Sequence, residues 1–129
     1  MARNGNKFKV TSDIRDTLLA SPEIAAMIGN KIFPLIAPEN TAGDFIVYQR
    51  DKYSVDTTKM GIDGQTVEVW INIVSDDYDR SQTLADTVFN VLYGYKTDEN
   101  GFSVRIDLLD STEDYENGKY IQILLFSIT

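Results

Sequence analysis

The residues of this sequence that could do chemistry are mainly carboxylates. Among its 129 residues there are 20 aspartates and glutamates, but no histidine and no cysteine. Without these two residue types the chain can form no disulfide, no Cys/His zinc site and no catalytic arrangement that depends on imidazole or a thiolate. Any site must therefore be built from other groups, and two acidic clusters are the first candidates.

The denser cluster contains Asp110, Glu113, Asp114 and Glu116, in the segment DSTEDYENGK. Such oxygen ligands suit hard cations, but their spacing matches no known calcium loop. Paired carboxylates could also work as general acid and base, but a rim loop offers neither a cleft nor a raised pKa. Because serine, threonine, asparagine and glycine surround the acids, we interpret this segment as a solvated turn.

The second cluster, Asp76, Asp77 and Asp79, lies where a helical pattern begins. A carboxylate at this point can accept hydrogen bonds from unpaired backbone N–H groups and oppose the positive end of the helix dipole. A calcium loop would also need a glycine turn and a distant bidentate glutamate, and neither follows here. We therefore predict helix capping rather than metal binding.

The glycines and aromatic residues predict no further chemistry. Residues 61–64 (GIDG) lack the lysine and the serine or threonine that follow a phosphate-binding P-loop. Trp70 and the seven tyrosines could stack on bases, but basic residues are not interleaved with them, so we interpret them as core and interface aromatics. The sequence thus predicts no catalytic residue, no cofactor site, no metal site and no enzymatic activity.

The chain is acidic, and its charge is unevenly distributed. The net charge is −8, and residues 76–129 alone hold 11 acidic and 4 basic side chains. Tight nucleic-acid binding needs clustered cations, so this balance argues against specific binding of DNA or RNA and would let DNA pass without sticking. No apolar run approaches the ~20 residues of a membrane span, and no secretory signal begins the chain. We therefore expect a soluble, intracellular protein without membrane contact.

A strand followed by a helix, over residues 66–92, is the unit that organises the rest of the chain. The strand alternates in polarity, with one apolar face formed by Val67, Val69, Ile71 and Ile73. The helix has an apolar stripe at three- and four-residue spacing, formed by Leu84, Ala85, Val88, Phe89 and Leu92. We predict that this stripe covers the apolar face of the strand.

Two hairpins and two short helices account for most of the remaining sequence. The first hairpin pairs residues 45–55 with residues 66–75 and has a projecting tip, and the second includes the C-terminal strand. We predict an α+β fold, with a largely antiparallel four-stranded sheet, one long helix packed on a face and two short N-terminal helices. Residues 1–11 are expected to form a flexible N-terminal arm, and residues 12–129 a single α+β domain.

The outer face of this sheet is predicted to be apolar, because both faces of the last strand are apolar. Its cover could be the two short helices or another subunit. We predict a protein interface that combines this face with the tip of the first hairpin. Its residues are Met60, Ile62, Trp70, Leu124 and Phe126.

Three motifs occur in a characteristic order over residues 18–128. A short helix ends at Gly29 before the crossing segment KIFPLIAP, which contains Ile32, Phe33, Pro34 and Pro38. The strand FIVYQR follows at residues 45–50, and then a helix with Tyr78, Leu84, Ala85, Asp86 and Val88. This arrangement resembles the tail-completion proteins of long-tailed bacteriophages. It departs from their pattern at Lys31, where arginine is usual, and at Ser81 or Gln82, where alanine is usual.

The resemblance implies a structural virion protein of a phage or prophage, assembled in the cytoplasm of the bacterial host. Such proteins form a hexameric ring on the head-proximal end of the tail tube. The ring stops growth of the tube and contacts the tail-tube protein and the head-connector protein, while DNA passes through its lumen. The residues by themselves also allow a small monomeric intracellular binding or regulatory domain, whose outer face is covered by its own helices.

Overall fold

Strands dominate the described part of the chain. The computed structural model describes residues 10–55, 65–97 and 103–129. In chain order these residues form α1 (Val10–Leu19), α2 (Pro22–Ile28), β1 (Ile32–Pro34), β2 (Phe45–Val55), β3 (Gln65–Ser75), α3 (Tyr78–Leu92), β4 (Gly94–Thr97), β5 (Ser103–Glu116) and β6 (Lys119–Ile128). Residues 1–9 of the predicted arm and the tip of the first hairpin lie outside the described residues, and residues 10 and 11 already belong to α1.

The strands form one mixed sheet in the order β1-β2-β3-β6-β5-β4. β1 runs parallel to β2, and the other neighbouring strands are antiparallel. The predicted α+β class is confirmed, and β2 pairs with β3 as the first hairpin requires. The prediction of four strands is wrong, because one short strand is added at each edge of the sheet.

The two edge strands are short, and only the first is indicated by its own residues, since the prolines of KIFPLIAP are typical of an edge strand or a crossing segment. β1 has three residues and ends in a proline, and β4 is the four-residue segment GYKT, whose sequence is typical of a turn. A short segment becomes a strand when the backbone of a long neighbour offers it N–H and C=O partners. β2 and β5 provide such partners, so the tertiary structure overrides the local turn preference.

All three helices pack on the same face of the sheet. α1 contacts α3 and β2, and α2 contacts α3. Their buried residues belong to one hydrophobic cluster together with the inward residues of the strands. The prediction of one long helix on that face is therefore replaced by a layer of helices with 10, 7 and 15 residues. None of the described helices is long and apolar enough to cross a membrane.

The predicted contact between the central strand and helix is confirmed. Val69 and Ile71 of β3, and Leu84 and Val88 of α3, are all completely inaccessible to solvent. Burial of a large aliphatic side chain contributes about 1.5–3 kcal/mol. This contact fixes the direction of α3 across the sheet and therefore places the helix N-terminus beside the ends of β3 and β6.

The predicted cap of α3 is also present. Asp77 is the N-cap of α3, where its carboxylate accepts a hydrogen bond from the backbone N–H of Arg80 over 3.0 Å. Ser21 caps α2 in the same way, with its hydroxyl accepting from the N–H of Ile24. Gly29 ends α2 with a φ of 65°, a positive value that glycine adopts without a steric penalty.

The acidic segment predicted as a turn is instead the second half of β5. Strand pairing with β6 continues from Asp110 to Glu116, and the turn is reduced to Asn117 and Gly118. These two residues have φ values of 52° and 79°, the positive values that a two-residue hairpin requires. Asn-Gly thus closes the hairpin, and pairing with the apolar strand β6 keeps the polar residues extended.

Candidate interaction surface

The sheet face opposite the helices is largely apolar across β2, β3 and β6. Residues paired across these strands lie side by side, and one such row consists of Val47, Asn72 and Ile123. The outer apolar face, as we define it, consists of Phe45, Val47, Trp70, Ile121, Ile123 and Leu125. Each of these side chains is half-buried by its neighbours. No helix among the described residues packs against them, since α1 and α2 lie on the other face.

The placement of Leu124 and Phe126 on this face is wrong. Trp70 pairs with Leu125, so Leu124 and Phe126 point to the helix layer. They are 4% and 0% exposed and belong to the core. The sequence showed two apolar faces on β6 but not which of them is on the side of Trp70, because that depends on the register of β3 and β6. The residues of β6 that lie on the same face as Trp70 are Ile121, Ile123 and Leu125.

The other predicted interface residues have different outcomes. Trp70 lies on the outer face of β3, in the middle of the sheet, and its role in an interface stays a prediction. Met60 and Ile62 lie outside the described residues, so their part in an interface also stays a prediction.

The outer apolar face has an acidic border and one unsatisfied polar atom. Asp110 and Asp114 of β5 pair with Leu125 and Ile121, so both carboxylates stand on the outer side at the edge of the apolar rows. Within the described ranges, the buried Oδ1 atom of Asn72 has no hydrogen-bond partner. A buried acceptor without a donor is destabilising by about 1–3 kcal/mol.

A strained turn follows the edge strand β1. Leu35 has a φ of 65°, and the N–H of Ile36 donates to the carbonyl of Pro34 over 2.7 Å. This is a γ-turn with a positive φ at its central residue, a rare conformation that costs a non-glycine residue about 1–3 kcal/mol. The turn presents Leu35 and Ile36 with 67% and 80% of their surfaces exposed. Two large aliphatic side chains are thus held in solvent by an unfavourable backbone.

A polar cluster joins the start of β2 to β3 and α3. Asp44 is 6% exposed and accepts hydrogen bonds from the Arg80 guanidinium over 3.1 Å and from the Ser75 hydroxyl over 2.9 Å. Burial raises the pKa of Asp44, but the bonds from Arg80 and Ser75 and the charge of Arg80 outweigh it, so the pKa is lowered. The cluster ties the start of β2 to the end of β3 and the first turn of α3, a structural function.

A second polar cluster joins the same helix to the β5–β6 hairpin. Glu113 accepts hydrogen bonds from Gln122 over 2.7 Å and from the hydroxyl of Tyr78 over 2.8 Å. These two bonds lower the pKa of Glu113, and the bond to Glu113 raises the pKa of Tyr78. Glu113, one of the four acids of the denser cluster, thus attaches a hairpin to a helix.

The carboxylates are dispersed rather than gathered into a site. Asp77 caps α3, Asp76 forms an ion pair with Lys119, and Asp107 forms one with Arg105. In the three described ranges, no group of three His, Cys, Asp or Glu residues is placed to hold a metal ion. This arrangement can form specific contacts, and the most extensive candidate for such contacts is the outer apolar face with the exposed turn at its β1 edge.

Comparison with known proteins decides what kind of molecule carries this surface. The sequence profile of the family described as "Tail completion protein gp17" matches residues 12–125. The chain belongs to this family. The resemblance carried by the three motifs is therefore confirmed, and this family member is a structural bacteriophage tail protein. No curated protein sequence matches the chain significantly.

A solved structure shows that this family member shares its fold with one chain of a virion particle. One chain from the virion of a native gene transfer agent (GTA) particle superimposes with a TM-score of 0.63. The two sequences are 16% identical, and the likeness covers 89% of this chain and 90% of that chain. At this identity the comparison establishes a common fold, and the contacts of the GTA chain remain properties of that protein.

Sequence reasoning did not find two components of the candidate surface. The turn at Leu35 and Ile36 is hidden in the apolar KIFPLIAP segment, whose two prolines suggest only an edge strand or crossing segment. Pro34 and Pro38 interrupt strand pairing, so the residues between them need not all be buried. The spacing of the two prolines was the available signal of an exposed turn. The acidic border was missed because the residues around Asp110 and Asp114 are typical of a turn.

Proposed function

We propose that this chain is a non-catalytic assembly protein of the phage virion that caps the tail tube as a ring and helps to join the tail to the head. The observation that carries the proposal is the outer apolar face, which the described helices leave uncovered in a member of the tail completion family. Contiguous exposed apolar surface in a folded protein usually marks a contact with another protein.

The ring is proposed to be hexameric and to form through this face. A stable interface buries roughly 800 Å² per partner and has aromatic anchors near its centre. Trp70 is the aromatic residue in the middle strand of the sheet, next to Leu125. These two residues form the proposed centre of the contact, and the hairpin tip with Met60 and Ile62 extends it.

The proposed neighbours of the ring are the tail-tube protein and the head-connector protein. DNA is proposed to pass through the lumen without specific binding, since an acidic wall repels phosphate. The site of assembly is the cytoplasm of the bacterial host, and the final location is the virion of a phage or a prophage-derived particle. The similarity of fold to a chain of the GTA virion supports this location.

Trp70→Glu tests the proposal. The half-buried position on an uncovered face should accept glutamate without unfolding the subunit, whereas a charge at the centre of an apolar contact should prevent assembly. The expected result is a melting curve close to that of the unchanged protein, together with tails that are not capped or joined to heads in electron micrographs. The yield of infectious particles should fall by at least the fraction of tails that are not joined to heads.

Asn90→Glu is the matched control, because Asn90 is exposed on α3, on the other side of the molecule. It adds the same charge and should leave particle assembly unchanged. If folded Trp70→Glu protein supports a normal yield of joined particles, the outer apolar face is not the assembly interface. If Asn90→Glu blocks assembly instead, the helix layer carries the contact.

A further inference from the structure

We propose that the turn formed by Leu35 and Ile36 of one copy inserts into the outer apolar face of a second copy. This inference rests on the proposed ring and specifies which surfaces meet in it. It assigns the two sides of the contact to different parts of the chain. The turn lies at the β1 edge, and the receiving face lies on β2, β3 and β6.

The turn is built to present its side chains rather than to bury them. Leu35 is held by a hydrogen bond from its own N–H to the carbonyl of Tyr48 in β2, over 2.8 Å. The positive φ of Leu35 then directs the chain away from β2, so that Leu35 and Ile36 are 67% and 80% exposed. Strain kept at a fixed position on the surface is typical of a segment that contacts a ligand or partner.

The turn does not cover the outer face of its own subunit. The exposed fractions of Leu35 and Ile36 are too large for side chains packed on a sheet. The strand that precedes them, β1, has only three residues, so the turn stays at the edge of the sheet. The described part of the molecule therefore has both an uncovered apolar face and a pair of uncovered apolar side chains. Both can be satisfied at once when two copies meet.

One cation, Arg50, which lies over the ring of Tyr53, stands near the turn, and its charge is opposite to that of two carboxylates beside the outer apolar face. Arg50 lines the same surface depression as Leu35. Asp110 and Asp114 border the outer apolar face on its β5 side. A copy whose turn approaches the face with Arg50 beside it would bring a cation toward two carboxylates. Opposite charges at the rim of an apolar contact favour one orientation and disfavour others.

The geometry of this contact explains why a ring would form. Two identical faces that meet each other make a closed pair of subunits, whereas a turn that enters a different surface leaves a free turn and a free face at the ends of the pair. Further copies can add until the rotation closes. The contact is thus head-to-tail, and the partner that fits the outer apolar face is a second copy of this chain rather than the tail-tube protein.

Cysteine cross-linking tests the contact directly, because the chain contains no cysteine of its own. Two differently tagged proteins, Ile36→Cys and Ile123→Cys, are co-expressed during particle assembly in place of the unchanged protein. Joined particles are then purified, oxidised and analysed on a non-reducing gel. The expected product carries both tags, and each variant expressed by itself should give no cross-linked pair.

Three results would overturn the inference. They are a pair formed by Ile123→Cys with itself, a cross-link from Ile123→Cys to another virion protein only, and no cross-link in particles that are joined normally. Each leaves the proposed function standing, since joined particles were recovered. If the unchanged protein is absent from the tail end in micrographs, the proposed function fails. In that case a two-tag product formed by the purified protein would still establish the contact between copies.

Ile36→Asp provides a second measurement that does not depend on the geometry of a disulfide. The residue is 80% exposed, so the variant should melt like the unchanged protein. Loss of one large aliphatic contact should weaken association between subunits by about tenfold or more. Leu19→Asp, at a 39% exposed position on α1, is the control and should associate normally. Normal association of folded Ile36→Asp protein would also overturn the inference.

Discussion

At the scale of single residues, the chain uses its carboxylates as structural ties. Asp44 joins β2 to α3 through Arg80 and to β3 through Ser75. Glu113 joins β5 to α3 through Tyr78. A paired carboxylate is stabilising only while it is ionised, so these ties make the fold sensitive to acid.

Asp44→Asn should make the protein less stable at neutral pH and less sensitive to acid. The pKa of Asp44 is lower in the folded state than its ordinary value of about 3.9. Its contribution is therefore complete above pH ~4 and is lost as the pH falls through the lower folded value. Melting temperatures measured between pH 7 and pH 3 should fall less steeply for Asp44→Asn than for the unchanged protein. Parallel curves would show that Asp44 carries no such contribution.

At the scale of elements, the β5–β6 hairpin is the part of the fold that projects the acidic border. β4 pairs only with residues 103–106 of β5. Among the described residues, the rest of β5 is paired only on its β6 side, up to the turn at Asn117 and Gly118. Acidic side chains on a long open strand edge discourage pairing with a like edge. Because no further described strand pairs with this end of β5, closure of the hairpin depends on the conformational preference of the two turn residues.

Gly118→Ala should destabilise the protein by about 1 kcal/mol. Gly118 has a φ of 79°, and no described atom lies within 4 Å of the position that an alanine Cβ would occupy, so the penalty comes from backbone conformation rather than a clash. Asn117→Gly is the matched control, because glycine adopts the φ of 52° at that position freely. Urea denaturation measures both variants. Equal stability of Gly118→Ala and the unchanged protein would mean that the hairpin closes with a different turn.

At the scale of the whole molecule, the described helices cover one side of the sheet and leave the other side uncovered. The inner side of the sheet is therefore buried, and the outer side is half-buried. Most of the net charge of −8 comes from residues 76–129, which hold 11 acidic and 4 basic side chains. An excess of negative charge repels phosphate, so we expect this part of the chain to disfavour nucleic acid.

The protein should not bind duplex DNA at physiological salt. Affinity for DNA comes largely from counterions released by clustered lysines and arginines, and the acidic half offers few such residues. An electrophoretic mobility shift titration of the purified protein should show no complex at micromolar concentration. A complex that weakens steeply as salt is added would contradict the proposal of an inert channel and direct attention to Arg3, Lys7 and Lys9.

The sequence by itself determined the features that depend on local physics. Alternating polarity predicted β3, the apolar stripe predicted α3, and the carboxylates at residues 76–79 predicted its capped start. The family was also readable, because the motifs that carry it are local segments in a fixed order. These predictions held because period, capping and turn chemistry act over a few residues.

Only the tertiary structure decided which side of each element faces which partner. β6 is apolar on both faces, so no pattern within it could show that Phe126 enters the core while Leu125 joins Trp70. The register with β3 makes that choice, and a shift of one residue would reverse it. The strands β1 and β4 exist because neighbouring backbones pair with them, and β5 extends through an acidic segment because β6 lies beside it. Long-range backbone pairing thus determined the surface, whereas local patterns determined the elements.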